Sequence, residues 1–299
     1  MHTKFFLPYV ALSVPVLAWG LSFPSIKAAL VEIPPMTLAF GRFVLAAAFL
    51  TTVVLGSRQN LSIRRRHLWP LVLSVLSGIT LYFLCENHGV QLISASAASL
   101  IIAGIPILTL LADSLVFGRR LGPVGTSAAL ASFVGAALLV GVLGSSGGAE
   151  NPWGYLLMLG AAIAWVLYLF TMKPLQGEYS NLVLTTWQML LGAASLAPFA
   201  LSEMGQWRWP SAGGWGQLAF QGLICSAASY LLYNHALKKL GLRVASLSVN
   251  LIPVVTVVAA YFLLGEVLGP WQWVGGALVV AAVVVVSAFP GPEPTPHQS

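Results

Sequence analysis

Residues 98–123 read ASLIIAGIPILTLLADSLVFGRRLGP, and residues 245–270 read ASLSVNLIPVVTVVAAYFLLGEVLGP. Ala98-Ser99-Leu100, Ile105-Pro106, Thr109, Ala112, Gly118 and Leu121-Gly122-Pro123 recur 147 residues on. Their counterparts are Ala245-Ser246-Leu247, Ile252-Pro253, Thr256, Ala259, Gly265 and Leu268-Gly269-Pro270. Asn87-His88 returns at the same offset as Asn234-His235. Ala18-Trp19 and Lys27 return 146 residues later as Ala164-Trp165 and Lys173. An offset held from end to end means that the chain contains one unit twice.

The material around these stretches is too apolar for water. Of 299 residues, 58% are hydrophobic and 7% are charged, with mean hydropathy +0.87. A soluble domain carries about 25% charged residues, and a disordered chain is poor in apolar ones. Two cysteines, Cys85 and Cys225, both in apolar runs, exclude a disulfide scaffold. The net charge of +6 matters less than where the charges lie.

A spanning helix needs about 20 mostly apolar residues. Ten runs qualify, at 6–30, 36–56, 69–91, 94–117, 123–143, 153–173, 180–201, 215–237, 243–264 and 270–289. All are too long for barrel strands. The expected fold is therefore all-α and integral to the membrane. Ten transmembrane helices form two inverted five-helix repeats, 1–143 and 153–289, joined by a linker at 144–152 and followed by a disordered cytoplasmic tail at 290–299. The first run outlasts the apolar core of a signal peptide and lacks a small-x-small cleavage site, so it reads as an uncleaved helix.

Lysines and arginines orient the spans. A cytoplasmic N-terminus places Lys4, Arg58, Arg64, Arg65, Arg66, Arg119, Arg120, Lys173, Lys238, Lys239 and Arg243 inside. Only Arg208 then falls outside, beside Glu32, Glu150, Glu203 and Glu266. Both termini are expected in the cytoplasm. Because each unit has five spans, the second copy crosses in the opposite sense, and the charges agree. Gly118-Arg119-Arg120-Leu121 is expected inside, and its counterpart Gly265-Glu266-Val267-Leu268 outside, without the arginines. Inverted repeats of this kind mark alternating-access carriers, whose substrate site lies near the midplane between the halves.

The chain resembles the drug/metabolite transporter superfamily, specifically its EamA-type ten-helix members. The resemblance rests on Trp19-Gly20-x-x-Phe23 through Lys27 and on Pro34-Pro35 through Arg42-Phe43. It also rests on Ala98 to Pro123 and Ala245 to Pro270, with Leu264-Gly265-Glu266. It covers nearly the whole chain. It implies a bacterial inner-membrane carrier, often an exporter of amino acids, other small metabolites or drugs.

Ionisable residues inside the membrane are costly, so each is a functional candidate. Arg42 stands about six residues, or about 9 Å, below the outer start of the second helix. Glu86 stands at a similar depth in the third. One reading makes them a structural ion pair; the other gives Arg42 a substrate carboxylate and Glu86 an amine or a proton. Gln188 and Tyr233 hold the matching positions in the second half. Lys27 reads as snorkelling to the outer interface, as Lys173 does at the inverted position. Asp113 reads as an interfacial partner of Arg119 and Arg120. His88 and His235 are symmetric; His88 is a candidate proton relay, against a plain packing role.

Trp19 and Trp165 fall at mid-helix, although tryptophan prefers the interface. Tyr82, Tyr168 and Tyr230 lie at comparable depth. They read either as packing or as the lining of a central cavity for apolar, planar or cationic solutes. That cavity would be formed by helices 1, 3, 4, 6, 8 and 9. Pro15, Pro24, Pro106 and Pro253 are expected to interrupt their helices and expose backbone. The candidate substrate residues are thus Trp19, Arg42, Tyr82, Glu86, Trp165, Tyr168 and Tyr230, with Glu86 and His88 as proton-coupling candidates.

No nucleotide-binding glycine loop, HExxH, CxxC or usable GxSxG occurs in the sequence. Neither catalytic chemistry, cofactor nor metal is expected, and gradients or exchange must supply the energy. The expected partners are a small-molecule substrate, the lipid bilayer and protons, with no nucleic acid, for a monomer or weak dimer. A sugar-phosphate or nucleotide-sugar exchanger would want more mid-depth cations than Arg42 and Lys27. A membrane enzyme would want a clustered acid/base set, and a sensor gives no reason for inverted repeats.

Overall fold

The computed structural model describes residues 3–118, 122–141, 151–233, 235–236 and 251–288, and every regular element among them is helical. In chain order these are α1 (Thr3–Ala29), α2 (Pro35–Gly56), α3 (Arg65–Val75, Leu76–Leu81 and Tyr82–Leu92), α4 (Ala95–Ile102 and Ile105–Phe117) and α5 (Pro123–Gly141). The second half supplies α6 (Pro152–Met172), α7 (Asn181–Ser202), α8 (Ala212–Ala219 and Phe220–Ala228, helical on to 233), α9 (Ile252–Leu264) and α10 (Pro270–Ala288). Six stretches within α1, α2, α3, α4, α6 and α7 are long and apolar enough to cross a bilayer; 123–135, 252–264 and 270–285 are shorter apolar helices. Arg119, Arg120, Asn234, Lys238, Lys239, Arg243, Glu150, most of the expected linker and the tail at 290–299 lie outside the described residues.

Local chemistry sets the helix ends. Pro35 and Pro152 stand in first turns, where the missing N–H costs nothing. Ser94, Asn151, Ser180 and Ser211 cap α4, α6, α7 and α8, each side-chain oxygen accepting from a backbone N–H two or three residues on. Gly118 and Gly265, repeat counterparts, end α4 and α9 in the left-handed region at φ 64° and 67°, the conformation a glycine adopts there without strain.

The repeat is visible in the irregularities as well. The π segments Leu76–Leu81 in α3 and Phe220–Ala228 in α8 overlap at the 147-residue offset. Pro106 and Pro253 each stand in the first turn of a helical segment, and in α4 that segment follows a break at Ala103-Gly104. Pro15 and Pro24 behave differently from expectation: α1 runs through both without interruption. Pro24 supplies no N–H to the carbonyl of Gly20 four residues back. That carbonyl instead accepts the hydroxyl of Thr256, on α9 of the other half, at 2.8 Å. A side chain at position 20 would overlap Val255 at 2.5 Å, so the same glycine lets α9 close enough to repair the ladder.

Helices pair across the halves. The repeat partners α2 and α7 pack together, as do α5 and α10, while α1 lies on α9 and α6 lies on α3 and α4. Lipid offers no hydrophobic drive between helices, so small residues and polar ties set these contacts. A Cβ on Gly135 of α5 would meet the Gly275 carbonyl of α10 at 2.6 Å. Buried apolar side chains such as Ile26, Leu38, Met158 and Leu196 fill the remaining space.

Polar ties join the halves at both ends of the bundle. At the expected outer end, the Glu32 carboxylate accepts from Ser211 N at 2.6 Å and Ser211 Oγ at 2.8 Å. Glu203 accepts from Met36 N at 3.0 Å, Thr37 N at 2.7 Å and Thr37 Oγ1 at 2.8 Å. At the expected inner end, Glu178 pairs with Arg64 at 2.8 Å and Arg66 at 3.6 Å. Beside it, the Tyr179 hydroxyl takes Arg64 N and meets His67 Nδ1. Trp153, Trp207, Trp209, Trp215, Trp271 and Trp273 are exposed near the expected outer interface, the level at which tryptophan anchors.

Candidate functional site

The centre of the bundle holds two aromatic groups, each built from both halves. Trp19 of α1 meets Tyr230 of α8 at 5.7 Å, edge-on, and Tyr233 at 5.3 Å. Its repeat counterpart Trp165 of α6 meets Tyr82 of α3 at 5.2 Å and Tyr168 at 4.8 Å. The indole N–H of Trp19 donates to the Cys225 carbonyl at 2.9 Å, inside the π segment of α8. Such segments alter the backbone ladder and recur at functional sites. Across the bundle, Tyr168 lies directly over Gly78 in the π segment of α3, where a Cβ would approach its ring to 2.4 Å.

Trp19, Trp165, Tyr168, Tyr230 and Tyr233 are all partly buried. Tyr82 is 7% exposed.

Two buried charges stand against this aromatic group. Arg42 of α2 is 5% exposed and Glu86 of α3 is 4% exposed. Among the described residues they form no ion pair with each other. The Arg42 guanidinium sits 4.6 Å from the ring centre of Phe83 and 5.9 Å from that of Phe43. Its Nε donates to Ser226 Oγ of α8 at 3.0 Å, and its terminal NH2 groups make no hydrogen bond to the described residues. Glu86 Oε1 accepts the Tyr82 hydroxyl at 2.8 Å. Glu86 Oε2 is buried with no partner, as is Asn87 Oδ1; the Asn87 amide donates to Pro35 O at 2.7 Å. A lone buried carboxylate oxygen costs free energy unless something donates to it. Arg42, Glu86, Tyr82 and Tyr230 are close enough to influence one another electrostatically.

The remaining ionisable candidates are placed as follows. Lys27 reaches the end of a neighbouring helix. Its ammonium donates to Val90 O at 3.3 Å and to Ile93 O, at the C-terminal end of α3, where free carbonyls and the negative end of the helix dipole favour a cation. Asp113 is 3.8 Å from Lys173, a pairing across the halves; its expected partners Arg119 and Arg120 lie outside the described residues. Lys173 is 54% exposed and stands over the ring of Phe170. His88 Nδ1 lies 2.8 Å from Leu84 O, one turn back on its own helix. His235 is exposed. Gln188, the counterpart of Arg42, donates to Met172 Sδ at 3.1 Å and the Tyr168 hydroxyl at 3.4 Å.

Sequence reasoning missed Phe83 and Ser226, which hold Arg42. Phe83 could have been found, since it is the repeat counterpart of Tyr230. Ser226 matches Ile79, and no pattern marks it. Also unforeseen was a buried polar seam between α1 and α8: Ser22 Oγ to Gln221 Oε1 at 3.0 Å, Gln221 Nε2 back to Ser22 O at 2.9 Å, and Ser25 Oγ to Gln217 Oε1 at 2.6 Å.

The model of the EamA-like transporter family matches the chain twice, at residues 7–141 and 152–288. A protein of Streptantibioticus cattleyicolor described as a probable terminal-alkyne amino-acid exporter is 27% identical over 279 residues, spanning 93% of this chain and 92% of that protein. An uncharacterized transporter of Archaeoglobus fulgidus is 27% identical over 283 residues, covering 93% of this chain and 98% of its own. A solved crystal structure superposes with TM-score 0.64 over 93% of this chain and 96% of that one, at 20% identity; that likeness shows the fold.

Proposed function

The chain belongs to the EamA-like transporter family, and on that premise we propose that it is a secondary exporter of small amino compounds, amino acids or amphipathic amines, working by alternating access in a bacterial inner membrane. The observation that carries this reading is the Glu86 carboxylate, buried and accepting the Tyr82 hydroxyl on one oxygen while the other is left without a donor. An ammonium group satisfies that oxygen and gains cation–π contact from Trp19, Trp165 and the tyrosines. Arg42, already oriented by Ser226 and Phe83, has its fork free for a carboxylate. A zwitterion with an apolar side chain meets both charges and leaves its body to the rings.

The exporter description of the Streptantibioticus relative supports the direction and the substrate class. The positive-inside count supports cytoplasmic termini. The halves 1–143 and 153–289 then act as the two inverted units of one carrier. With no nucleotide site in the sequence, the energy comes from a gradient; Glu86 is the group to carry a proton, with His88 two residues on. A phosphate exchanger is disfavoured, because Lys27 commits its ammonium to backbone carbonyls and leaves Arg42 the sole buried cation among the described residues. The chain itself carries out no covalent chemistry.

A thermal-shift screen of the purified chain against amino acids, amines, sugars and sugar phosphates tests this reading, since a ligand of the folded state raises its stability by mass action. Stabilisation by apolar amino acids or amines, weakened in Glu86→Gln, is the expected result. Stabilisation by sugar phosphates alone would overturn it.

A further inference from the structure

His67 is the buried polar centre of the tie that joins the halves at the expected inner end. It stands in the first turn of α3 and is 6% exposed. Arg66 Nε donates to His67 Nε2 at 3.1 Å. An arginine only donates, so Nε2 carries no hydrogen, and the ring is neutral with its one N–H at Nδ1. Nδ1 lies 2.7 Å from the Tyr179 hydroxyl of the α6–α7 link, and the two rings meet edge-on at 5.5 Å. The same hydroxyl oxygen accepts Arg64 N at 3.1 Å, so both of its lone pairs are used.

The surroundings are set against a positive charge on this ring. Arg64, Arg65 and Arg66 stand beside it on its own chain segment. Glu178, from the α6–α7 link, is already shared by Arg64 and Arg66. Of the other elements packed on α3, the turn Lys173–Leu175 brings Lys173, which pairs with Asp113; α6 brings Tyr168 at this end, and α7 has no titratable side chain. A proton taken up at Nε2 turns that atom from acceptor to donor against Arg66 and adds a third cation to the two that share Glu178. Other bonds of the seam, Trp187 Nε1 to Leu61 O at 2.8 Å and Ser180 Oγ to Gln59 Oε1, do not titrate. A polar cleft of about 490 Å³ between the two links, bordered by Arg64, Glu178 and Tyr179, brings water to the edge of the tie.

We infer that His67 is a proton-operated clasp at the cytoplasmic end of the carrier: neutral, it holds the α2–α3 and α6–α7 links together, and protonated, it releases them. Histidine is the side chain that changes charge between about pH 5 and 8. The joined state binds one proton fewer than the released state, so acid favours release. The inference rests on the alternating-access reading for what release achieves, which is opening toward an acidified cytoplasm, and not on the identity of the solute or the role of Glu86.

Spin labels at Asn60→Cys and Gln176→Cys, exposed positions on the two links, report the gap by pulsed dipolar spectroscopy of the full chain in proteoliposomes, with the same pH on both faces. Cys85 and Cys225 are buried, and the chain without added cysteines is the labelling control. The parent is expected to give one short distance at about pH 8 and to add a population longer by several ångströms as pH falls to about 5.5. His67→Gln keeps an oxygen for Arg66 and an amide hydrogen for Tyr179 but takes no proton, and it is expected to hold the short distance at both pH values. A parent distance that ignores pH would overturn the inference. So would an unchanged acid response in His67→Gln, which would assign the proton to Glu178 or another group. If His67→Gln does not yield monodisperse protein, Arg66→Gln decides alone: with the opposing cation removed, the longer population is expected only at lower pH than in the parent, and an unchanged midpoint would overturn the inference. No solute is added, so a failed ligand screen leaves this result standing, and the reverse.

Discussion

Glu32 and Glu178 make the same contact at opposite ends of the bundle. They are 146 residues apart, and each takes the first turn of the third helix of the other half, through Ser211 at one end and Arg64 at the other. Ser211 and Arg64 are themselves repeat counterparts, each the residue before its helix begins. One contact, written twice and turned over, has become a neutral cap at the expected outer end and an ion pair at the inner. The division follows the positive-inside rule, since only the inner copy can carry arginine without opposing topology.

The Glu32 contact gives stability a pH dependence. The backbone N–H of Ser211, and then its hydroxyl, hold the Glu32 carboxyl below its ordinary value. A depressed carboxyl contributes stability that is present above the unfolded value and lost as pH falls through the folded one. Thermal unfolding of the parent in detergent is expected to come at lower temperature as pH drops below the usual carboxylate range. In Glu32→Gln that part of the acid sensitivity should be absent, with little change at neutral pH. Identical acid profiles for the two proteins would contradict the assignment.

Glu203 caps α2 from the far half with three hydrogen bonds while only 8% exposed. Replacing it with alanine leaves two backbone donors unpartnered, and loss of such a cap costs about 1–2 kcal/mol. A lower unfolding midpoint at neutral pH is expected.

Gly135 and Gly216 should respond in opposite directions to alanine. At Gly135 the new methyl meets the Gly275 backbone, which cannot step aside, and overpacking of this kind costs about 1–3 kcal/mol. At Gly216 nothing lies within 4 Å, and alanine in a helix gains up to about 1 kcal/mol over glycine. Paired thermal melts decide between them.

If Glu86 carries the coupling proton, Glu86→Gln should fold, since glutamine keeps the oxygen that accepts the Tyr82 hydroxyl. It should also lose the dependence of flux on a pH gradient while retaining exchange. Unchanged pH-gradient dependence in Glu86→Gln would assign the proton elsewhere.

The fold was readable because its signals are coarse. Runs of about 20 apolar residues demand spans, and Trp19, Asn87-His88 and Pro106 return 146 or 147 residues on. Side-chain partners were not readable, because they lie across the halves. Arg42 and Glu86 share a depth and are both buried, yet α8 supplies Ser226 to Arg42, and Tyr82 serves Glu86 from one turn back on its own helix. Lys27 sits near an interface, where snorkelling is the default, but the free carbonyls of α3 end beside it. Pro24 looked like a break because only the structure brings Thr256 to the carbonyl it strands. The outer carboxylates Glu32, Glu203 and Glu266 were placed on the right side by charge counting, and nothing local marked them as caps for helices 170 or so residues away.

The direct test of the central claim is flux through the reconstituted chain. Proteoliposomes preloaded with unlabelled apolar and aromatic α-amino acids are given the same compounds in tritiated form, and counterflow is measured for the parent, Arg42→Gln and Glu86→Ala. The account predicts saturable accumulation above empty liposomes in the parent, at least tenfold reduced in each variant although both remain folded. No counterflow of any amino acid in the parent, or equal counterflow in parent and variants, would contradict it.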